Sequence, residues 1–275
     1  VATIVIWISV AYFILPLIWL FFASTKTNSG LFSSFGFWFA ADFALWDNIV
    51  AVFSYRDGIF IRWMLNSFFY AGAAGVGAAF LSTMAGYAFA KYKFPGDKLL
   101  FAIAIGGIMI PATALAVPQF VLFGAYGMTN SPLAVILPAL ASPIGVYIMR
   151  VYAQEAVPES LIEAARMDGA GEIRIFFQIA FRLLVPGFVT ILLFSLVHSW
   201  NNYLLPLIMI RKEELYPVVV GLAQLNAVTQ TGGGTEVVFS TVITGSLLSV
   251  IPLIAAFIFL QRYWQTGLTA GSVKM

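Results

Sequence analysis

Five stretches of this chain contain no Asp, Glu, Lys or Arg: residues 1–25, 63–90, 99–149, 183–210 and 237–261. This pattern limits the fold more than any other feature of the sequence. A water-soluble domain needs charge spread over its surface. Here 61% of the 275 residues are hydrophobic and only 9% are charged. A charge-free run of about 18 residues or more can cross roughly 30 Å of hydrocarbon as a helix. An all-α membrane protein is therefore expected.

The run at 1–25 has no basic segment before it and no small-residue cleavage site, so it is read as a span rather than a signal peptide. Residues 26–62 mix Gly, Ser, Trp and Phe with Asp42, Asp47, Arg56 and Asp57, and read as an extramembrane loop with aromatic pieces at the headgroups. The second span is expected over 63–90. Its small residues Ala78, Ser82, Gly86 and Ala90 recur at four-residue spacing and suit close helix packing. After the basic turn 91–98, the third and fourth spans are expected at about 99–124 and 133–153, separated by the turn from Tyr126 to Pro132. Pro111 and Pro118 predict kinks in the third, which membrane helices tolerate when neighbours satisfy the freed carbonyls. The fifth span is expected at 183–210 and the sixth at 237–261, with a polar loop from Arg211 to Glu236 between them and a short polar tail from Arg262. These six spans make one domain over 1–275.

Six spans put both termini on one side, and the positive-inside rule chooses that side. With the 91–98 turn, the 154–182 segment and the tail in the cytoplasm, that side holds Lys91, Lys93, Lys98, Arg150, Arg166, Arg174, Arg182, Arg262 and Lys274, nine of the 14 basic residues. Lys26, Arg56, Arg62, Arg211 and Lys212 fall on the other side. Both termini and the 154–182 segment are accordingly expected to be cytoplasmic.

That segment interrupts the apolar pattern. Pro158 suits the first turn of a helix, where its missing N–H costs nothing. Glu159 and Glu163 then lie towards the positive end of the helix dipole. Gly169 is placed to end the helix in the left-handed conformation. A second short helix is expected from about Gly171 towards Leu184, because Ile173, Phe176, Phe177, Ile179 and Ala180 have helical spacing, with Pro186-Gly187 leading into the fifth span. The first helix has roughly ten residues, too few for stability alone in water. It needs a partner, either its own bundle or a separate soluble protein. Ala164 and Ala165 allow close approach, and Glu163, Arg166 and Asp168 offer charges to match.

Glu163-Ala164-Ala165, followed by Gly169 and Ile179, resembles the EAA signature of permease subunits from binding-protein-dependent ABC importers. The family continues Ile-x-Leu-Pro, whereas this chain has Ile179-Ala180-Phe181-Arg182 and a proline only at Pro186, which leaves the exit from the segment open. Asn66-Ser67, the stretch from Ala85 to Gly96, Leu137-Pro138 and Trp200-Asn201-Asn202-Tyr203 are also similar to the family. The ending from Gly267 to Lys274 resembles the carbohydrate-type, MalG-like branch. The resemblance implies that Glu163, Ala164, Ala165, Arg166, Met167, Asp168 and Gly169 form a coupling helix that enters a cleft of an ATPase subunit. It further implies a second, MalF-like permease, two cytoplasmic ATPase subunits, an extracytoplasmic solute-binding protein, and a place in the bacterial cytoplasmic (inner) membrane. ATP and Mg belong to the ATPase subunits, and no cofactor to this chain. The loops at 26–62 and 212–236 are expected to meet the binding protein, with Gly232, Gly233 and Gly234 making the second mobile.

The chemistry that is missing agrees. No lysine follows a glycine, so there is no GxxxxGK[ST] phosphate loop. There is no cysteine, and His198 is the only histidine, so neither thiolate chemistry nor a histidine metal cluster is expected. The charge-free runs lack the acids that proton- or sodium-coupled carriers use, and they lack arginines for an anionic solute. An intramembrane enzyme has no acid–base or nucleophile–base set to work with. These exclusions favour a transporter subunit for a neutral polar solute such as a sugar. The alternatives are a permease for an amino acid or polyol phosphate, and a passive channel or structural bundle, which has no use for the EAA segment. Trp200, Asn201, Asn202 and Tyr203 are pathway candidates, with Gln119 and Asn226 as weaker ones. Counted from Val185, Asn201 lies roughly 24 Å along the fifth helix, past the midplane, either lining the pathway or bonding between helices. His198 is read as a packing residue. Nothing points to a nucleic acid.

Overall fold

The structure, a computed structural model, describes residues 2–230 and 239–270. Among them all regular structure is helical apart from one bridge between Lys26 and Phe43. The first helix, α1 (Ala2–Ser24), is followed by α2 (Asn28–Ser33) and α3 (Leu45–Ser54) in the aromatic region. Thr27 starts α2, its Oγ1 accepting from the Gly30 N–H at 3.1 Å. Helix α4 (Ile59–Lys91) contains the span expected at 63–90.

The helix expected over 99–124 is broken. Here α5 (Asp97–Gly106) continues as a tight turn to Met109, and α6 (Ala112–Ala125) leaves at 103° to it. Ile110 stands before Pro111 and is extended (φ −84, ψ 118), as the proline ring requires of the residue before it. The next region is also in two pieces, α7 (Leu133–Leu140) and α8 (Pro143–Ala156). Ala141 is extended, Ser142 Oγ accepts from the Gly145 N–H at 3.1 Å, and Pro143 takes the first helical position.

After α9 (Glu159–Met167) comes α10 (Glu172–Ile175), a π-turn over Phe176–Ala180, and α11 (Phe181–Trp200). These last three form one apolar helical run, Glu172–Trp200, with Pro186 inside it. The separate short helix expected before the fifth span is therefore the first part of that span. The wider π-turn lets Ile175 and Phe176 both face the core above Ala180. Then come α12 (Leu204–Met209), α13 (Val218–Gln230) and α14 (Phe239–Ala270). Helix α13 occupies much of the stretch expected to be a polar loop, and α14 runs past the expected end at 261. By length and apolarity, five helices of the described residues can cross a membrane, or six if the bent pair is one span.

The chain packs as two compact units, Val1–Ser67 with Lys212–Ile254, and Phe68–Arg211 with Ala255–Met275. In the first, Lys26 is buried and its Nζ donates to Ser34 Oγ (2.9 Å) and Phe35 O (2.6 Å), which folds the aromatic loop back on the end of α1. The residues from Ala2 to Trp19 remain exposed. In the second, the small stripe of α4 packs against α8. Ala78 and Ser82 are buried, Ser82 Oγ donates to Ser142 O at 3.4 Å, and Gly86 faces Met149 and Arg150.

Candidate functional site

Helix α9 is short and two-faced. Pro158 precedes it in the extended conformation (φ −63, ψ 138), and Glu159 stands in its first turn. It ends at Gly169, which is left-handed (φ +78). The Gly169 N–H donates to Arg166 O and the Ala170 N–H to Ala165 O, both at 3.0 Å. This pair of bonds is the Schellman arrangement, which satisfies carbonyls that the last turn otherwise leaves bare. A Cβ at Gly169 meets nothing within 4 Å, so the cost of Gly169→Ala is one of backbone conformation. It is expected to be about 1 kcal/mol, read as lower protection of the Ala165–Ala170 amides in hydrogen exchange, with Gly169→Asn closer to the parent.

The inner face carries Ile162 (1% exposed) and Ala165 (7%). They join a core with Ala79 and Tyr87 of α4, Met149 and Ala153 of α8, and Ile175, Phe176, Ala180, Leu184 and Ile191 of the Glu172–Trp200 run. Burying Ile162 alone contributes about 2 kcal/mol. The outer face carries Ser160, Glu163, Ala164 and Met167, all exposed, Met167 to 85%. Ile173, just beyond, is 77% exposed. This end of the helix is therefore apolar at its surface, beside the exposed charges of Glu163 and Asp168.

Two straps hold the helix. Near its start, Glu159 lies 3.9 Å from Lys91 Nζ. Near its end, Arg166 Nε donates to Glu172 Oε1 at 2.8 Å, and Glu172 Oε2 accepts from Tyr92 Oη at 2.7 Å. Burial first, and then the hydrogen bond to the Glu172 carboxylate, push the Tyr92 phenol far above its ordinary range, so it stays a donor. The Glu172 carboxylate likewise raises the Arg166 guanidinium. Both partners of the Arg166–Glu172 pair are exposed to solvent, so it positions the helix more than it stabilises it. The Tyr92–Glu172 bond joins residues 80 positions apart, and no local feature of the sequence signals it.

The expected coupling residues are thus brought together but divided in role. Glu163, Ala164, Met167 and Asp168 are exposed, Ala165 is in the core, Arg166 is strapped, and Gly169 is the cap. The pathway candidates are less united. Trp200 is 3% exposed and packs edge-on against Phe68 at 5.1 Å. Asn201 does not lie part-way along a span. It caps the end of the Glu172–Trp200 run, with its Nδ2 donating to Val197 O at 3.0 Å. Asn202 and Tyr203 follow in the turn before α12, and α12 packs against α6, the helix that carries Gln119. His198 is exposed rather than packed, and Asn226 lies half-buried on α13. Gly232, Gly233 and Gly234 lie outside the described residues.

Comparison with known proteins agrees with this architecture. Residues 78–267 match the family described as binding-protein-dependent transport system inner membrane component. The arabinooligosaccharides transport system permease protein AraQ of Halalkalibacterium halodurans is 36% identical over 83% of this chain and 79% of its own length. The trehalose transport system permease protein SugB of Mycobacterium tuberculosis is 30% identical over 96% of this chain and 94% of its own. A chain in the crystal structure of a bacterial ABC transporter involved in the import of the acidic polysaccharide alginate superposes with a TM-score of 0.79, at 22% identity, covering 96% of this chain and 95% of that one. By sequence and by fold, the chain belongs to the family of inner membrane permease components of binding-protein-dependent ABC transporters.

Proposed function

We propose that this permease passes a neutral sugar or oligosaccharide through the membrane, and that α9 is the element on which an ATPase subunit acts. The observation that carries the second part is the division of α9 between two faces. Its outer face is exposed and mixed in character, while Ile162 and Ala165 sit in the same core as α4, α8 and the Glu172–Trp200 run. A force on the outer face therefore acts on three spans through close-packed contacts rather than through a flexible loop. The sugar assignment rests on relatives named for arabino-oligosaccharide and trehalose transport, together with charge-free spans.

In this reading the 154–182 segment and both termini face the cytoplasm. A second, homologous permease stands beside this one, and its contact or lipid covers the exposed length of α1. Each permease receives one ATPase subunit, which holds ATP and Mg. The binding protein delivers solute to the opposite side, near the loops at 26–62 and 212–236. ATP binding draws the two coupling helices together and favours the outward-open packing, and hydrolysis restores the inward-open one. Each ligand acts only through its differential affinity for the two packings. The Asn201–Tyr203 turn supplies amides and an aromatic face to the solute path.

Glu163→Ala in the reconstituted complex tests the coupling role. Glu163 is exposed and has no role in the core, so the permease is expected to fold and assemble normally. Solute-stimulated ATP hydrolysis is expected to fall about tenfold, the usual scale for losing a charged anchor at an interface. Full stimulation in an intact complex would remove Glu163 from the coupling face.

A further inference from the structure

Asn66 and Ser67 take no part in the coupling face, yet they bond to a segment 150 residues away. Asn66 Nδ2 donates to Glu214 O (2.8 Å) and Tyr216 O (3.0 Å), which uses both of its hydrogens. Trp63 Nε1 donates to Glu213 O at 2.9 Å, and Arg62 Nε reaches Glu214 O at 3.4 Å. Ser67 Oγ accepts from the Val218 N–H at 2.7 Å.

The last bond has a specific meaning. Val218 is the first residue of α13, and its N–H is one of the donors that a helix start leaves unmatched. The residue before it, Pro217, has no side-chain oxygen to serve as a cap. Ser67 supplies the cap from another helix. Beyond it, α13 is seated without space to spare. A Cβ at Gly221 would lie 2.2 Å from the Trp63 ring, and one at Gly245 would lie 2.7 Å from Leu222. The approach to α4 is strained as well. Arg56 (φ 42), Asp57 (φ 56) and Gly58 (φ 80) are left-handed in succession, a costly conformation for the first two. Arg56 Nη1 donates to both carboxylate oxygens of Glu213, at 2.9 and 2.8 Å. Strain held in place by a contact to the same segment belongs with the capping as one device.

We propose that the start of α4 is a latch, with Asn66 and Ser67 as positioning residues that fix α13 so that this helix meets the solute-binding protein in one pose. The exposed side of α13, with Gln224, Ala227 and Gln230, is uncharged and largely polar, which fits a transient protein contact better than lipid. The inference rests on the reading that α13 lies on the side of the binding protein.

The test uses the whole reconstituted complex with Asn66→Ala. Arg56→Ala serves as a second variant, because Arg56 is exposed and cannot collapse the core. Two readouts are taken: amide exchange over residues 213–222, and the binding-protein concentration that gives half-maximal ATPase stimulation. Both are expected to rise about tenfold for Asn66→Ala, the scale of one lost net hydrogen bond between well-ordered groups. Arg56→Ala is expected to show a smaller rise in both. Basal and maximal ATPase rates are expected to stay unchanged, which a general loss of structure does not produce. Unchanged exchange in both variants removes the latch. Faster exchange with unchanged half-saturation removes α13 as the docking element. In both cases the coupling role of α9 is left to stand or fall on Glu163.

Discussion

Ala164→Trp is expected to reduce solute-stimulated ATP hydrolysis to its basal rate while leaving the permease folded. Ala164 is exposed on the outer face of α9, between Glu163 and the core residue Ala165, and takes no part in the core. In the proposed reading, the obstacle to a larger side chain there is the ATPase subunit. A coupling helix that enters a cleft through small residues has no room for an indole, and overpacked interfaces do not relax cheaply. The expected loss is at least about a hundredfold, equivalent to some 2.7 kcal/mol at the interface. The ATPase subunits are expected to separate from the permease during purification. The melting of the permease itself is expected to shift by no more than about 0.5 kcal/mol, as for other surface substitutions. A complex that carries Trp at 164 and still couples normally would show that the ATPase binds elsewhere. The neighbouring alanine is a contrast: Ala165 is in the core, and enlarging it damages the permease before any partner is involved.

Gly86→Val is expected to have the opposite signature, with loss of the folded permease rather than loss of coupling. A Cβ at position 86 would lie 2.6 Å from Met149 Cβ and 2.8 Å from the backbone nitrogen of Arg150. Neither atom can turn aside, because a Cβ and a backbone nitrogen are both fixed by the main chain. Helices α4 and α8 must therefore separate, and both carry the core on which α9 rests. The cost is about 3 kcal/mol, at the upper end for an overpacked contact. It is read as a fall in the amount of monodisperse permease recovered from membranes and in its melting temperature. Gly72→Ala is the control on the same helix. An added Cβ there meets nothing within 4 Å, and the change is expected to be neutral or slightly stabilising. Equal behaviour of the two substitutions would show that the close approach of α4 to α8 does not support the bundle.

The separate signatures follow from where each part of the site is encoded. The spans were legible because hydrocarbon imposes a rule on every residue that it touches, and that rule leaves uninterrupted charge-free runs. The bounds of α9 were legible because Pro158 and Gly169 act through their own backbone geometry. The continuous run from Glu172 to Trp200 was not, because Pro186 reads as a boundary in sequence and is accommodated in the folded helix. Helix α13 had a signal, the inward positions Val218, Gly221, Leu222 and Leu225 at i, i+3, i+4 and i+7, which was masked by the charges of Arg211 to Glu214 before it.

By itself, then, the sequence determined the class of protein, the spanning segments in outline and the bounds of the short helix α9, since these depend on solvent preference and on local backbone chemistry. Only the tertiary structure decided that Ala164 faces outward and Ala165 inward, that Tyr92 and Arg166 share Glu172, and that Ser67 caps a helix far along the chain. Such pairings depend on which helices lie side by side, and no local preference of the chain specifies its distant neighbours.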